Sequence, residues 1–493
     1  MEHAKNSDLP IYVRFALDDS RAGEGSPGDA VGRAGGVQEC GDVIEMRLDI
    51  SDGRIQRARY LASGCPGALA SAAAAAQLAE GSTLDELARL TEQNVYDLLE
   101  DLPDNKRACS NLGALAVKHA VENHVSGGGL ASLTIEDNRV AVAMSGGVDS
   151  SVAAARLVRD GFDVIGISMR LYDTEATKSC CSAKDLADAA AVADKLQIPH
   201  YTVDFRELFK QKVIEPFCRE YLAGRTPNPC VDCNRFVKLT ALTHLANKLS
   251  AAGLATGHYV QIGRDDITGR WLVSKSVDEK KDQSYMFWCA SQESLSQMKT
   301  PLGNFNKTQV RELAKEFALP VAEKNESQDI CFVPDNNYRG FLAKQDFYSP
   351  TPGPMVDTSG NLMGQHSGLS NYTVGQRKGL GISGPSRIYV ASIDVDSNTL
   401  VLGSREDTAA RRLIVDQVNW VAWPDLLDTR SVEAVHRYHA RPLTAHISPL
   451  GENRVMVEYP QPVSGVAPGQ SVVFYEGNIV VGGGICESVI KSP

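Results

Sequence analysis

The sequence predicts a multidomain chain: a small α+β domain, then an α/β domain built on a doubly wound parallel sheet, then β-rich domains. Three observations predict it. Residues 43–50 alternate apolar and polar side chains ahead of alanine-rich helical stretches. From residue 139 buried-strand runs alternate with helical ones. Beyond about residue 335, Gly and Pro punctuate short β-like runs. The 493 residues suit about three domains. With 43% hydrophobic and 23% charged residues, the composition is that of globular protein and excludes a fibrous or wholly disordered chain.

In chain order, Ile44, Met46, Leu48 and Ile50 alternate with Glu45, Arg47 and Asp49, the pattern of a half-buried strand, and a second strand follows over 55–61. Helices are expected over 67–79, after the capping pattern Thr83-Leu-Asp-Glu86, and over 110–124. Ser126-Gly127-Gly128-Gly129 breaks the pattern and reads as a flexible linker. Strands at 140–143, 164–168 and 254–256, with a helix over 184–196, imply the parallel sheet, and a nucleotide would sit at the strands' carboxyl ends. Runs at 387–393, 399–402, 455–459 and 471–475 supply the later β structure.

Ser145-Gly146-Gly147-Val148-Asp149-Ser150-Ser151 joins the strand ending at Met144 to a helix expected to begin near Ser150. Its glycines let the backbone turn against an oxyanion, and the unpaired N–H groups of the helix point at phosphates. A Walker loop carries a lysine for the β and γ phosphates, and no lysine lies in this loop. A loop that grips a leaving pyrophosphate, with Asp149 near magnesium, suits attack at the α phosphorus of ATP and adenylation of a substrate oxygen. The plain alternative is a Gly-Ser turn between a strand and a helix.

Net charge is −11, but residues 1–130 carry 12 Lys and Arg against 20 Asp and Glu, leaving the remainder close to neutral. That remainder can present basic strips, with 375–381 and 436–441 as candidates for phosphate and base contacts. No apolar signal core opens the sequence and no run is long enough to span a bilayer, so a cytoplasmic protein with no membrane partner is expected.

Eleven cysteines without an export signal argue for reduced, reactive or metal-bound thiols. Cys230 and Cys233 form a Cys-x-x-Cys pair, read as a hairpin on which two thiolates converge, and Cys331 is a distant third. Three cysteines can hold a cubane cluster with one iron left open, whereas structural zinc asks for four ligands; buried inert thiols are the alternative. Cys218, Cys289 and Cys486 stand in apolar settings and read as structural, and Cys180-Cys181 are adjacent and poorly placed to share a site. In the first domain Cys40, Cys65 and Cys109 form a second trio. Cys109 begins a helix, which is expected to lower its thiol pKa and favour thiolate.

These residues carry a resemblance. Met144-Ser-Gly-Gly-Val-Asp-Ser150, Thr226-Pro-Asn-Pro229 with Cys233-Asn234, Ala255-Thr-Gly-His258-Tyr259, Lys281-Asp-Gln-Ser-Tyr285, Ile330-Cys331-Phe332, Gly375 to Ile382 and Pro468-Gly-Gln470 resemble, in order, the bacterial tRNA-uridine 2-sulfurtransferases, or tRNA 2-thiouridylases of MnmA type. The resemblance implies a nucleotide α-hydrolase-like ATP-pyrophosphatase domain over 139–335, a central tRNA-binding domain over 336–405 and a C-terminal β-barrel over 406–493. It implies ATP contacts at Ala143, Met144, Ser145, Gly146, Gly147, Val148, Asp149, Ser150, Met169 and Gly257. It implies tRNA contacts at His258, Lys281, Asp282, Gln283, Arg437, Tyr438 and Gln470, side chains able to bond phosphates and stack on an unpaired base.

Residues 1–125 are similar to the iron-sulfur scaffold family of IscU and the NifU N-terminal domain, with Cys40, Asp42, Cys65 and Cys109 on that family's ligand positions and 126–138 as linker. The histidine that commonly precedes the third cysteine is Ala108 here. In the usual thiouridylase scheme Cys233 is a nucleophile and Cys331 a persulfide carrier. Many members have aspartate where this chain has Cys230, which favours the alternative of a [4Fe-4S] cluster on Cys230, Cys233 and Cys331. The implied activity is ATP- and Mg2+-dependent 2-thiolation of the wobble uridine of tRNAs accepting Lys, Glu or Gln. A cysteine desulfurase or other donor would supply sulfur, and a labile cluster would sit on the first domain. An iron-sulfur scaffold with a regulatory ATP domain, or a ligase acting on a small metabolite, are the alternatives.

Overall fold

The computed structural model describes residues 9–26, 29–35, 41–127, 135–172, 182–325, 330–333, 337–345, 348–382, 387–451 and 453–490. The N-terminal unit opens with helix α1 (Ile11–Leu17) and an antiparallel sheet of β1 (Ala30–Gly35), β2 (Val43–Ser51) and β3 (Arg54–Ser63). The expected alternation holds: Ile44, Met46 and Leu48 are fully buried. Helices α2 (Pro66–Ala79), α3 (Leu84–Ala88), α4 (Glu92–Leu98) and α5 (Arg107–Ser126) follow. Thr83 and Glu86 form the expected capping box of α3. The alanines of α2 let α5 approach closely: a Cβ added at Gly113 would fall 2.4 Å from Ser71 Oγ.

The second unit runs through β4 (Glu136–Ala143), α6 (Val148–Arg159), β5 (Asp163–Arg170), α7 (Ala183–Leu196), β6 (His200–Asp204), β7 (Ala251–Ala255), the hairpin β8 (Val260–Arg264) and β9 (Trp271–Lys275), and β10 (Met298–Lys299). Five of these strands form one parallel sheet in the order β10-β7-β4-β5-β6. The chain moves outward from β4 through β5 to β6 and then returns to β7 on the other flank. The carboxyl ends of β4 and β7 therefore border a topological switch point, the crevice where such sheets take ligands. Helix α6 begins at Val148, two residues before the expected start, because Gly147 occupies the N-cap.

A four-stranded sheet follows, β11 (Gly353–Asp357), β12 (Leu362–His366), β13 (Tyr389–Asp394) and β14 (Thr399–Gly403). Strands β15 (Ala409–Trp420), β16 (Arg430–Val435), β17 (Leu443–Pro449), β18 (Val455–Ser464), β19 (Ser471–Glu476) and β20 (Ile479–Ile490) then close into a barrel through the β15–β20 pairing. The β8–β9 hairpin of the second unit extends that sheet at Ser274, opposite Ile479.

The N-terminal unit is docked on the parallel sheet. Asp85 of α3 accepts hydrogen bonds from Arg139 at the start of β4 and from the Tyr201 hydroxyl of β6. Glu122 of α5 lies 3.3 Å from Arg170, and Ser126 Oγ accepts from the Asp204 N–H at 3.0 Å. One apolar cluster includes Val117 and Val121 of α5 together with Tyr201 and Val203 of β6. Among the described residues no helix is long and apolar enough to cross a membrane.

Asp85→Ala leaves a largely buried guanidinium and a buried phenol without their shared acceptor. A loss of about 1–3 kcal/mol is expected, read as a lower urea midpoint for the transition reporting Tyr201; an unchanged midpoint would mean that the contact contributes nothing.

Candidate active site

The loop after β4 is shaped by close backbone contacts. Gly146 has φ +69°, and a Cβ there would lie 2.1 Å from the Asp185 carbonyl oxygen. Ser150 Oγ accepts from the Ser145 N–H at 3.2 Å, and Ser151 Oγ donates to the Gly147 carbonyl at 2.8 Å. Gly257, just beyond β7, packs on the loop from across the crevice: a Cβ there would sit 2.6 Å from the Ser150 nitrogen and 2.7 Å from the Asp149 carbonyl carbon. Met144 is buried, its carbonyl accepting from Ser168 Oγ at 2.7 Å, while Met169 is partly buried nearby on β5. Ala143, Val148 and the other expected ATP-contacting residues are therefore gathered at the switch point.

Lysines absent from the loop's own sequence arrive from elsewhere. Lys307, the first residue of the helix Lys307–Glu316, places Nζ 2.7 and 2.9 Å from the two carboxylate oxygens of Asp149. The Tyr259 hydroxyl donates to the same carboxylate at 2.8 Å. Lys324 reaches the other side of the loop, donating to the Gly146 carbonyl at 3.0 Å and pairing with Asp185 and Asp188 at 2.6 and 2.5 Å. Neither lysine stands in a motif that reveals its partner, so the sequence reading assigned neither of them a role.

Cys230 and Cys233 do not lie on a hairpin. Asn228-Pro229 starts a helical turn, Pro229–Asp232, that continues into a π-helical stretch, Cys233–Leu242, so the two thiols are one turn apart on a single helix. Cys230 is exposed and Cys233 buried. Cys233 and Cys331 belong to one apolar cluster with Phe209, Phe217 and Phe332, and the Tyr172 hydroxyl donates to the Cys331 carbonyl. Burial pushes the Asp232 carboxyl between the thiols up to about 7. Cys218, Cys289 and Cys486 are buried, as expected of structural thiols. Cys180 and Cys181 lie outside the described residues.

The barrel holds the loop that leads to Cys230. The Thr226 N–H donates to the Pro468 carbonyl at 2.8 Å, Gln470 Nε2 donates to the Thr226 carbonyl at 3.0 Å, and Gly469, at φ +91°, leaves no room for a Cβ against Thr226. Tyr438 packs on Tyr285 at 5.5 Å, and burial raises its pKa, followed by the charges of Asp282 and Cys230. Several expected tRNA contacts make internal bonds. Asp282 accepts from the Ser276 N–H at 2.8 Å, and Gln283 Oε1 accepts from the Tyr259 N–H at 2.9 Å. His258 pairs with Thr256 at 2.7 Å and with Lys238 at 3.5 Å, and burial keeps its imidazole well below the usual range and neutral. Arg437 is exposed, Lys281 partly so, and Arg377, Lys378 and Arg441 add exposed basic side chains.

In the N-terminal unit Asp42, Cys65 and Cys109 bring one ligand atom each within 4.8 Å of one another. Among the described residues they are the one His, Cys, Asp or Glu trio so tightly drawn together. Cys65 is the N-cap of α2, its N–H donating to Asp42 Oδ1 at 3.0 Å, and its Sγ lies 3.7 Å from that of Cys109. Cys40 lies outside the described residues. The expected acidic Cys109 is overturned: its thiol is pushed up to about 12, by burial first and then by Cys65 and Asp42, which outweigh the start of α5. Two thiols and a carboxylate so close favour a shared cation, and Lys106 stands by, its own pKa raised chiefly by Cys65.

The comparisons with known proteins agree with this layout. Residues 138–335 match the family described as tRNA methyl transferase HUP domain, 340–404 its PRC-barrel domain, 410–486 the aminomethyltransferase β-barrel domain and 17–127 the NifU-like N-terminal domain. Among solved structures, the N-terminal part of a NifU-like protein from Brucella abortus is 19% identical over 24% of this chain and 81% of its own, TM-score 0.17. The U34-tRNA thiolase NcsA from Methanococcus maripaludis, solved with its [4Fe-4S] cluster, is 19% identical over 40% of this chain and 63% of its own, TM-score 0.25. The tRNA-specific 2-thiouridylase MnmA of Heliobacterium modesticaldum is 48% identical over 70% of this chain and 91% of its own length. The tRNA-specific 2-thiouridylase MnmA 1 of Caldanaerobacter subterraneus subsp. tengcongensis is 47% identical over 72% of this chain and 99% of its own length. At 47–48% identity over nearly the whole length of such enzymes, the chain belongs to the tRNA-specific 2-thiouridylases, sulfurtransferases acting on tRNA, and carries a NifU-like domain ahead of the enzyme.

Proposed function

We propose that the enzyme adenylates the C2 oxygen of the wobble uridine in tRNAs accepting Lys, Glu or Gln and replaces it with sulfur at Cys230, Cys233 and Cys331. The observation that carries the proposal is the Lys307–Asp149 pair inside the switch-point crevice. An ammonium on both oxygens of Asp149 stands where a magnesium ion would bind, so the carboxylate is already a cation site. When nucleotide and Mg2+ arrive, Lys307 passes from Asp149 to the phosphates and supplies the charge that a Walker lysine would give. The loop N–H groups and the start of α6 hold the β and γ phosphates. The C2 oxygen attacks the α phosphorus, pyrophosphate leaves, and sulfur then displaces AMP. Activation is needed because oxide is a very poor leaving group.

Cys230 and Cys233, a turn apart, together with Cys331 supply three thiolates of the kind that hold a [4Fe-4S] cluster and leave one iron open. When bound, the cluster supplies the sulfide that replaces oxygen. Tyr438 stacks on the uridine beside Cys230, while the exposed Arg437 and the basic strip around Arg377 and Lys378 hold phosphates. The N-terminal trio, with Cys40, holds a labile cluster that replenishes the enzyme between rounds, itself loaded by a cysteine desulfurase or another donor.

Asp149→Asn and Lys307→Met are expected to cut tRNA-dependent AMP formation by about 100-fold or more, while filter retention of tRNA stays near that of the unsubstituted enzyme. Equal loss of both would show that the pair supports the fold instead.

The full chain with Cys65→Ser and Cys109→Ser, prepared without air, is expected to give the Mössbauer signature of a [4Fe-4S] cluster, and Cys230→Ala, Cys233→Ala or Cys331→Ala to remove it. An active, iron-free enzyme with a persulfide on Cys331 would restore the persulfide scheme.

Cys65→Ser or Cys109→Ser alone is expected to slow repeated turnover at limiting iron and sulfur while a preloaded enzyme completes its first round. Equal rates in both regimes would make the N-terminal domain a stability module.

A further inference from the structure

Helix α5 measures how far the N-terminal trio stands from the reaction. Its later half runs alongside β6 in the same direction. Lys118 lines one pocket together with Asp194, six residues before β6 begins at His200, while Ser126 bonds the N–H of Asp204, the last residue of β6. From Lys118 to Ser126 the helix rises about 12 Å, and β6 from His200 to Asp204 extends about 13 Å, so the two elements keep pace. Extended backwards, the same helix carries Cys109 about 14 Å below the amino end of β6, and about 26 Å from the level of Ser126 and Asp204. The adenylation loop, Gly257 and the cluster holding Cys233 and Cys331 all lie beyond the carboxyl ends of the strands. The N-terminal trio therefore opens at the opposite edge of the sheet.

The docking that fixes this geometry is not a loose tether. Asp85 is bonded at once to Arg139, 10% exposed, and to the buried Tyr201, and Glu122, 8% exposed, faces Arg170. Separating the surfaces would strand these groups and expose the apolar contact of Val117 and Val121 with β6. Residues 1–130 carry most of the chain's net negative charge, whereas the central unit and the barrel present the exposed Arg377, Lys378, Arg437 and Arg441. An acidic domain on one copy fits the basic face of another.

We infer that the N-terminal trio serves the thiolation site of a second copy of this chain and not its own. The inference rests on the reading that the trio replenishes the enzyme. In the transfer the iron bonds to Cys65, Cys109 and the Asp42 carboxylate on the donor are replaced by three iron–thiolate bonds on the acceptor, and the protons given up by the acceptor thiols pass to the released donor groups or to solvent, so no electrons are exchanged and no bond within the cluster breaks.

The test mixes two full-length variants, Cys331→Ala, with an intact trio, and Cys109→Ser, with an intact thiolation site. The mixture is expected to thiolate repeatedly where neither variant does alone, and below saturation its rate per enzyme to about double with each doubling of concentration, unlike a tethered transfer. Amide exchange in 118–125 and 200–204 is expected to stay slow during turnover. A mixture no faster than the Cys109→Ser chain, or exchange that rises in both segments together when ATP and tRNA are added, would overturn the inference in favour of undocking and transfer within one chain. A Cys109→Ser chain that alone matches the unsubstituted enzyme would remove the replenishment reading and this inference with it, leaving slow exchange as evidence of the docking alone.

Discussion

The carboxylate of Asp149 joins three segments that the chain encodes far apart. It stands in the first turn of α6, receives the Tyr259 hydroxyl from beyond β7, and is paired with Lys307 at the start of a later helix. Gly257 brings the β7 side so close that any larger residue would push the loop away. The crevice is thus assembled by one charged contact and one steric one. The first holds a cation against its carboxylate, and the second fixes the loop backbone at the edge of the crevice.

A second dependence runs between the barrel and the cysteines. Pro468, Gly469 and Gln470 form the seat for Thr226, and the Arg225 guanidinium donates to the carbonyls of Cys486 and Glu487 at 3.3 and 3.1 Å. Two prolines then lead into the helix bearing Cys230 and Cys233. The barrel therefore fixes the segment ahead of Cys230 through one backbone hydrogen bond, from Thr226 to Pro468, and through the side chains of Gln470 and Arg225. Cys233 and Cys331 share an aromatic packing environment that excludes water from the buried side, while Cys230 is exposed.

The N-terminal domain adds an expensive interface. Burial raises the Glu122 carboxyl and lowers the Lys118 ammonium, and holds His200 near 4, all at or beside the contact with β6. Two of these groups have a direct partner, Arg170 for Glu122 and Ser168 Oγ at 2.8 Å for His200, and the charge of Asp194 across a shared pocket opposes the loss at Lys118. The flexible tether suggested by the glycines of 126–129 is therefore a connection between two surfaces that already adhere, and residues 128–134 themselves lie outside the described part.

Much of this was legible in the sequence. The alternation of 43–50, the capping box at Thr83, the strand–glycine–helix order around Gly146 and the Gly and Pro spacing of the β-rich half each depend on neighbours a few residues apart, and each formed. Cys230 and Cys233 were found but misplaced on a hairpin, since Cys-x-x-Cys spacing fits a helical turn equally well and Pro229 at the helix start decides between them. Cys109 was found but given the wrong acidity, because the helix start is local whereas Asp42 and Cys65, which press its proton on, arrive through the fold. Lys307 and Lys324 were not found at all, and Tyr259 stood in a quoted motif without its role at Asp149. By itself the sequence determined the family, the order of domains and the strand–glycine–helix loop around Gly146, because consecutive residues carry those signals. Only the tertiary structure decided which cations reach that loop, how the thiols are buried and which edge of the sheet the N-terminal trio faces, because charge, burial and direction are set by residues that meet only when the sheet is assembled.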